Sequence, residues 1–369
     1  MAADAEVVDL FSPFTIGGMR LRNRAVVAPM TRVSATAAGE ATPQMLRYYE
    51  AFARGGWGLV ETEATYIDEE QSQCRAGQPG LATPRQRDAW RPVVDSVHAH
   101  GACIAVQLQH AGALAETRRD GVPSVAPTAI EPRSRQPLSM PRALTRGGIA
   151  RIHERFAFAA SLAVEAGFDG VELHGGNGYL IDQFLTPETN ERTDEYGGPM
   201  THRVRFAVEA VQAVRAVVPH AYPVGVRVSQ HKTADPGYVW SGGEGDVRTI
   251  VSALVAAGAS FVHIGGQSAP ARANGSGPLV CALAKLSGAV VIANGGLEAP
   301  ERAGAILAAG SADLISIARG ALANPEWPHR VASGLPLRRF DPAMIRPVAT
   351  LDRAETWRHE QSDSVQPIR

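Results

Sequence analysis

Three side chains able to grip an oxygen and handle a proton leave one short apolar segment together. The run Val171–Gly198, VELHGGNGYLIDQFLTPETNERTDEYGG, delivers His174, Asn177 and Tyr179 within six residues. Such groups at the C-terminal end of a barrel strand are in the position where catalytic residues sit. The plainer alternative is a capping histidine, a turn asparagine and a packed tyrosine.

A second set occupies two later segment ends. Ala293-Asn294-Gly295-Gly296 closes one and Ile317-Ala318-Arg319-Gly320 the other. Glycines let backbone amides approach an anion, and arginine adds a forked, permanently charged donor. At the seventh and eighth strands of a barrel this pairing predicts a phosphate site. Thr31 follows Pro29-Met30 at the end of the first apolar run, and Gln107 lies inside VQLQHAG. Arg227 interrupts the apolar run PVGVRVS. A buried arginine needs an anionic partner. Glu61 or Glu63 could supply it, or an anionic ligand atom could.

The elements that must position these residues alternate in kind. Continuous apolar runs predict strands at Ala25–Met30, Gly58–Thr65, Cys103–His110, Gly170–His174, Pro223–Ser229, Phe261–Gly266, Ala289–Gly296 and Leu314–Gly320. They do not alternate in polarity, as expected of strands buried on both faces in a parallel sheet. Amphipathic helices are expected between them, including Pro43–Arg54, Pro84–His100, Ile149–Ala166, Arg203–Val217 and Gly245–Ala257. Thr83-Pro84-Arg85-Gln86 reads as a helix start, with Thr83 as the cap and Pro84 in the first position.

Eight such units predict an α/β fold, a (β/α)8 TIM barrel. A doubly wound sheet is the alternative, but no GxGxxG follows the first strand. Residues 1–369 are read as one domain, with the barrel over about 10–335 and a C-terminal extension over 336–369 that ends in the polar segment Glu360–Arg369. Two connections are long enough to be functional: Gly112–Gly148, with prolines at 123, 127, 132, 137 and 141, and Gly175–Met200. Both are expected to cap the C-terminal face. Val122, Val125, Ile130 and Leu138 give the first something to bury.

Of 369 residues, 45% are hydrophobic and 20% charged, with a formal net charge of −1, so nucleic acid and anionic membranes are poor candidates as partners. MAADAEVVDLF lacks the basic and apolar regions of a secretory signal, and no apolar run reaches membrane-spanning length. Cys74, Cys103 and Cys281 are too few and too scattered for an iron–sulfur cluster, and they suit a reducing, cytoplasmic compartment. Homo-oligomerisation is left open.

Together these residues resemble the old yellow enzyme family of flavin-dependent ene-reductases. The resemblance runs from Leu10 to about Arg330, through LFSPFTIGGMRLRNRAVVAPMTR, GLVETEAT, VQLQHAG, the long central motif, VGVRVS, IANGG and ARGALANPEWP. It implies an FMN-containing barrel that uses NADH or NADPH to reduce a small α,β-unsaturated carbonyl substrate. The cofactor would meet Pro29, Met30, Thr31, Ala64, Gln107, Arg227, Gly295, Gly296, Ala318 and Arg319. Within that set, Thr31 would bond a flavin carbonyl, Ala64 would approach the ring with its backbone and Gln107 would read the pyrimidine edge. Arg227 would stand near N1, while Gly296, Arg319 and neighbouring backbone would hold the phosphate. His174 and Asn177 would bind the substrate oxygen and Tyr179 would donate a proton.

The chain departs from the family at Gln109 and Ala113, where Trp and Arg are frequent, which bears on the substrate cavity. Thr31 stands where one branch has cysteine, and the His-Asn pair is a known alternative to His-His. Three other readings compete. A metal-dependent hydrolase could use His110 and His174, but there is no HxH on the first strand and no carboxylate-rich strand end to support a metal site. A non-catalytic flavin or anion carrier leaves the triplet unexplained. A flavin-dependent desaturase running the reverse reaction with oxygen would use the same residues.

Overall fold

Apolar strands with two faces to bury can close on themselves, and the computed structural model of the protein shows that closure. It describes residues 9–116, 122–133, 137–232, 234–267 and 269–363, with side chains as far as 357. Residues 1–8 of the segment read for a secretory signal, and 364–369 of the polar tail, lie outside the described residues.

Eight parallel strands form the barrel: β1 (Ala25–Val27), β2 (Leu59–Glu61), β3 (Cys103–Gln109), β4 (Gly170–Asn177), β5 (Val224–Lys232), β6 (Phe261–Gly265), β7 (Val291–Asn294) and β8 (Leu314–Ile317). Each pairs with the next, and β8 returns to β1 through Ile315–Ala25, Ser316–Val26 and Ile317–Val27. Helices α1 (Pro43–Arg54), α2 (Pro84–Ala99), α3 (Arg146–Ala166), α4 (Arg205–Arg215), α5 (Gly243–Ala256), α6 (Val280–Leu286) and α7 (Pro300–Ala308) lie between the strands. The cap at Thr83 forms as its sequence implies: its hydroxyl accepts from the Gln86 N–H at 3.2 Å, with Pro84 in the first turn. The first and last units are also joined by side chains. Trp57 and Trp327 stack at 5.6 Å, and the Trp57 indole donates to the Pro325 carbonyl.

Several strands end earlier than their apolar runs, β1 at Val27 and β8 at Ile317, which leaves Pro29–Thr31 in the loop above β1 and Ala318–Arg319 at the start of the short helix above β8. By contrast β4 runs past His174 to Asn177. The sequence reading began a connection at Gly175, but here the glycines admit a neighbour. A Cβ on Gly175 would come within 2.9 Å of the Arg227 carbonyl on β5. The strand therefore continues, with Arg227 opposite His174 and Lys232 opposite Asn177 across an irregular stretch.

The bottom of the barrel is closed by an element absent from the sequence reading, the hairpin Phe14–Ile16/Met19–Leu21. Ile16, Met19 and Leu21 pack on Val26, Leu59, Phe261, Ile292 and Leu314. Gly225 makes room for the Phe261 ring on which this plug packs, because a Cβ there would lie 2.1 Å from that ring. At the other end, Gly112–Gly148 folds partly as a cap, with Val125–Ala126 paired to Arg142–Ala143. Val125 is buried, whereas Val122, Ile130 and Leu138 are only half-buried. The extension contributes a helix, Leu351–Asp363, tied to the first unit by Leu351 N–H on Ser34 Oγ (3.0 Å) and Gln44 on Asp352 (2.7 Å). Among the described residues no helix is long and apolar enough to cross a membrane.

Candidate active site

The strand-end triplet is assembled by β4 and the turn after it. His174 is 4% exposed, and its Nδ1 has no hydrogen-bond partner. Burial, helped by the Arg227 charge, pushes its pKa down to about 3, so the imidazole is neutral at any working pH. Asn177 adopts φ 61°, a left-handed conformation that asparagine tolerates better than most residues. Ser229 Oγ lies 3.3 Å from both its backbone nitrogen and its Oδ1. Tyr179 opens the short helix Leu180–Leu185, and its ring lies 5.1 Å from the His174 ring. Burial pushes the Tyr179 pKa well above the usual phenol value, Cys74 adds to the rise and Arg75 opposes it. The phenol stays protonated at neutral pH.

Asp182 and Gln183 hold this turn in place. Asp182 accepts from the Gly178 N–H at 2.6 Å and pairs with Lys232, and Gln183 donates to the Gly178 carbonyl at 2.8 Å. Neither stood out in the sequence, since each works through partners that only the fold supplies. Two cavities flank the triplet. One of about 240 Å³ is lined by Asn177, Ile130, Lys232 and Tyr238. The other, of about 570 Å³, is lined by Thr31, Cys74, Arg75, Tyr179 and, from the C-terminal extension, Ile345 and Pro347 to Ala349. The sequence assigned no barrel unit to that extension, yet it walls the site.

Arg227 is 8% exposed and donates to Asn294 Oδ1 at 3.3 Å, while its Nε has no partner. Neither glutamate considered from the sequence is its hydrogen-bond partner. Glu63 accepts the backbone N–H groups of Arg32 and Val33 at 2.7 and 2.9 Å. Glu61 lies 3.2 Å from His263. Gln107 donates to Glu172 at 2.7 Å, and Glu172 bonds His263 at 2.8 Å, whose other nitrogen meets Ser316 at 2.7 Å.

Away from the strand ends, a buried layer inside the barrel does bring carboxylates together: Glu61, Glu172 and His263 offer ligand atoms within 4.8 Å of one another. They come from different strands inside the barrel, where strand-end spacing gives no hint of them. Burial and the neighbouring Glu172 raise Glu61 to about 7. Burial also acts to raise Glu172, yet His263 and Arg227 hold it down at about 2.

At the ends of β7 and β8 the glycine pair takes the conformation its composition suggests. Gly295 and Gly296 have φ 118° and 60°, and a Cβ on Gly295 would sit 2.4 Å from the Ala269 carbonyl. Ala318 precedes the short helix Arg319–Ala323, and the exposed Arg319 donates to the Gln267 carbonyl at 2.9 Å. Pro29 and Met30 are half-buried and Thr31 is exposed above β1. Ala64, half-buried above β2, gives its carbonyl to Gln78 at 2.8 Å.

A closed parallel barrel with a strand-end triplet, a buried arginine and a glycine cradle over its last two strands defines a class of cofactor-binding barrel enzymes. Comparison with known proteins gives the class its family. Residues 9–338 match the NADH:flavin oxidoreductase / NADH oxidase family. The chain is 35% identical over 365 residues to 12-oxophytodienoate reductase 1 of Oryza sativa subsp. japonica, covering 92% of this chain and 90% of that one. It is 34% identical to the NADH oxidase of Thermoanaerobacter brockii over 88% of its own length and 51% of the relative's. The chain thus spans about half the length of that enzyme and of the Desulforamulus reducens metal reductase.

Among solved structures, the old yellow enzyme homologue from Zymomonas mobilis superposes with a TM-score of 0.81 at 31% identity, over 89% of this chain and 94% of the other. Morphinone reductase in complex with tetrahydroNAD gives 0.79 at 31%, over 90% and 93%. The chain belongs to the NADH:flavin oxidoreductase / NADH oxidase family, of which old yellow enzyme is a member.

Proposed function

We propose that the protein is an FMN-dependent oxidoreductase that uses NADH or NADPH to reduce the activated C=C bond of small α,β-unsaturated carbonyl compounds, within a barrel of about residues 10–335. One observation carries the reading. A neutral, buried imidazole with an orphaned nitrogen, His174, stands one strand-turn from Asn177 and beside the protonated phenol of Tyr179. Support for the cofactor comes from the open Nε of buried Arg227 and from a glycine pair that a Cβ would obstruct. Thr31, the Ala64 backbone, Gln107, Arg227, Gly295, Gly296, Ala318 and Arg319 would hold it, with Pro29 and Met30 behind Thr31.

When bound, FMN supplies the hydride chemistry, between the nicotinamide and the β-carbon of the substrate. His174 and Asn177 hold the carbonyl oxygen, and their bonds strengthen as that oxygen gains enolate charge. Donors of this kind each contribute roughly 3 kcal/mol to the transition state. Tyr179 delivers its proton to the α-carbon. Arg227, buried and with its Nε open, would supply fixed positive charge to the cofactor.

Anaerobic stopped-flow measurement tests the proposal. The purified protein should release FMN on denaturation, bleach with NADH or NADPH and recover its colour with enones. FAD, no flavin, or reoxidation by oxygen but not by any enone would overturn it, the last result pointing to desaturation.

A further inference from the structure

Tyr179 does not stand alone at its cavity. Cys74 Sγ lies 3.9 Å from the Tyr179 hydroxyl and 3.5 Å from the Leu114 carbonyl. Arg75 Nη2 lies 3.9 Å from the same sulfur and 3.1 Å from Glu116 Oε1. All four side chains line the cavity of about 570 Å³. The chain Glu116–Arg75–Cys74–Tyr179 therefore ends on the oxygen that must give up a proton.

We infer that Arg75, held by Glu116 and acting through Cys74, is a positioning residue for proton delivery: it gives the charge left on the Tyr179 oxygen a cationic partner. The inference rests on Tyr179 being the proton donor. In that step the Tyr179 O–H bond breaks and a C–H bond forms at the α-carbon. The enolate electron pair takes the proton, and its negative charge passes to the phenolate oxygen. A phenolate in a buried site needs compensation. The neutral His174 imidazole offers none, and the charge of Arg227 is the one assigned above to the cofactor.

The Cys74 S–H can turn from the Leu114 carbonyl to the phenolate, while Arg75 donates to the sulfur behind it. Arg75 is the charge that already pulls the Tyr179 pKa down against burial. Its side chain is 43% exposed, so the guanidinium stays hydrated and charged, and water at the cavity mouth can restore the phenol.

The test uses the flavin-loaded enzyme and separates proton delivery from packing. Arg75→Gln should slow anaerobic reoxidation by an enone roughly tenfold, the scale of a partly screened charge contact. It should also enlarge the solvent isotope effect, because proton transfer becomes more limiting. Reduction by nicotinamide, phenol affinity and reoxidation by a nitroalkene, whose product can be protonated in water, should not change. Arg75→Lys should keep most of the rate, and added guanidinium ion should restore part of it to Arg75→Ala. Arg75→Gln combined with Tyr179→Phe should be no slower than Tyr179→Phe alone.

A wild-type enone rate and isotope effect in Arg75→Gln, with Tyr179→Phe slow, would overturn the inference while leaving the proton donor in place. A loss equal in both half-reactions, unmoved by lysine or guanidinium, would overturn it as a packing effect. A wild-type enone rate in Tyr179→Phe would remove the proton donor and the inference with it.

Discussion

At the scale of the residue, the phenol of Tyr179 is separable from its ring. Tyr179→Phe keeps the contact with His174, so fold and flavin content should survive. If the hydroxyl protonates the α-carbon, reduction by nicotinamide should stay near normal, since that half-reaction protonates no substrate carbon. Reoxidation by an enone should fall by roughly 10²–10⁴, the range of general acid catalysis, while nitroalkenes should still be consumed. An unchanged enone rate would make Tyr179 a packing residue.

His174 allows a second residue-scale test, because burial keeps it neutral down to about pH 3. A phenol with pKa about 10 that binds in its neutral form exchanges no proton from pH 5 to 8 either, so its affinity should be flat over that range. His174→Ala and Asn177→Ala should each weaken that affinity. A step in binding near pH 6.5 would show that the imidazole titrates and is not held as described.

At the scale of the element, the loops after β7 and β8 and the helix α7 offer a contrast between two glycines. Gly295→Ala should cost flavin retention, since its Cβ would press on the Ala269 carbonyl at 2.4 Å and its φ is 118°. Gly304 lies within α7, where a Cβ meets nothing within 4 Å. Gly304→Ala should therefore stabilise the fold by about 0.5–1 kcal/mol without touching flavin content. Arg319→Ala should weaken FMN retention while leaving chemistry in the flavin-saturated enzyme nearly intact. Equilibrium dialysis with FMN and thermal unfolding distinguish the three variants. Equal flavin affinity in all of them would remove the phosphate site from this end of the barrel.

At the scale of the whole molecule, acid stability should carry the mark of a histidine far from the chemistry. His153 on α3 packs against Phe206 of α4, bonds its carbonyl at 3.1 Å, and is held by burial at a pKa of about 4. The unfolded chain protonates this side chain near pH 6.5, while the folded chain resists it. Its contribution to stability is therefore complete above about pH 6.5 and is lost as pH falls toward 4, by at most about 3.4 kcal/mol. His153→Gln should show a shallower loss of stability over that interval in denaturant titrations. A slope identical to that of the wild type would mean that His153 titrates normally in the folded protein.

The sequence by itself determined what depends on neighbours along the chain. Continuous apolar runs marked the eight strands, Thr83 marked a helix start, and the HGGNGY spacing brought His174, Asn177 and Tyr179 to one strand end. Gly295 and Gly296 marked a backbone turn in which glycine is at ease, and both take positive φ. What the tertiary structure decided lies between residues far apart in the chain. Glu172 meets His263 91 positions away, Tyr179 meets Cys74 105 positions away, and the extension reaches back to wall the cavity. Barrel closure and strand register set those meetings, and periodicity along one segment carries no record of what stands opposite it. The same physics extended β4 beyond His174: its glycines fall outside the apolar run when taken alone, and make room for β5 once the two strands are paired.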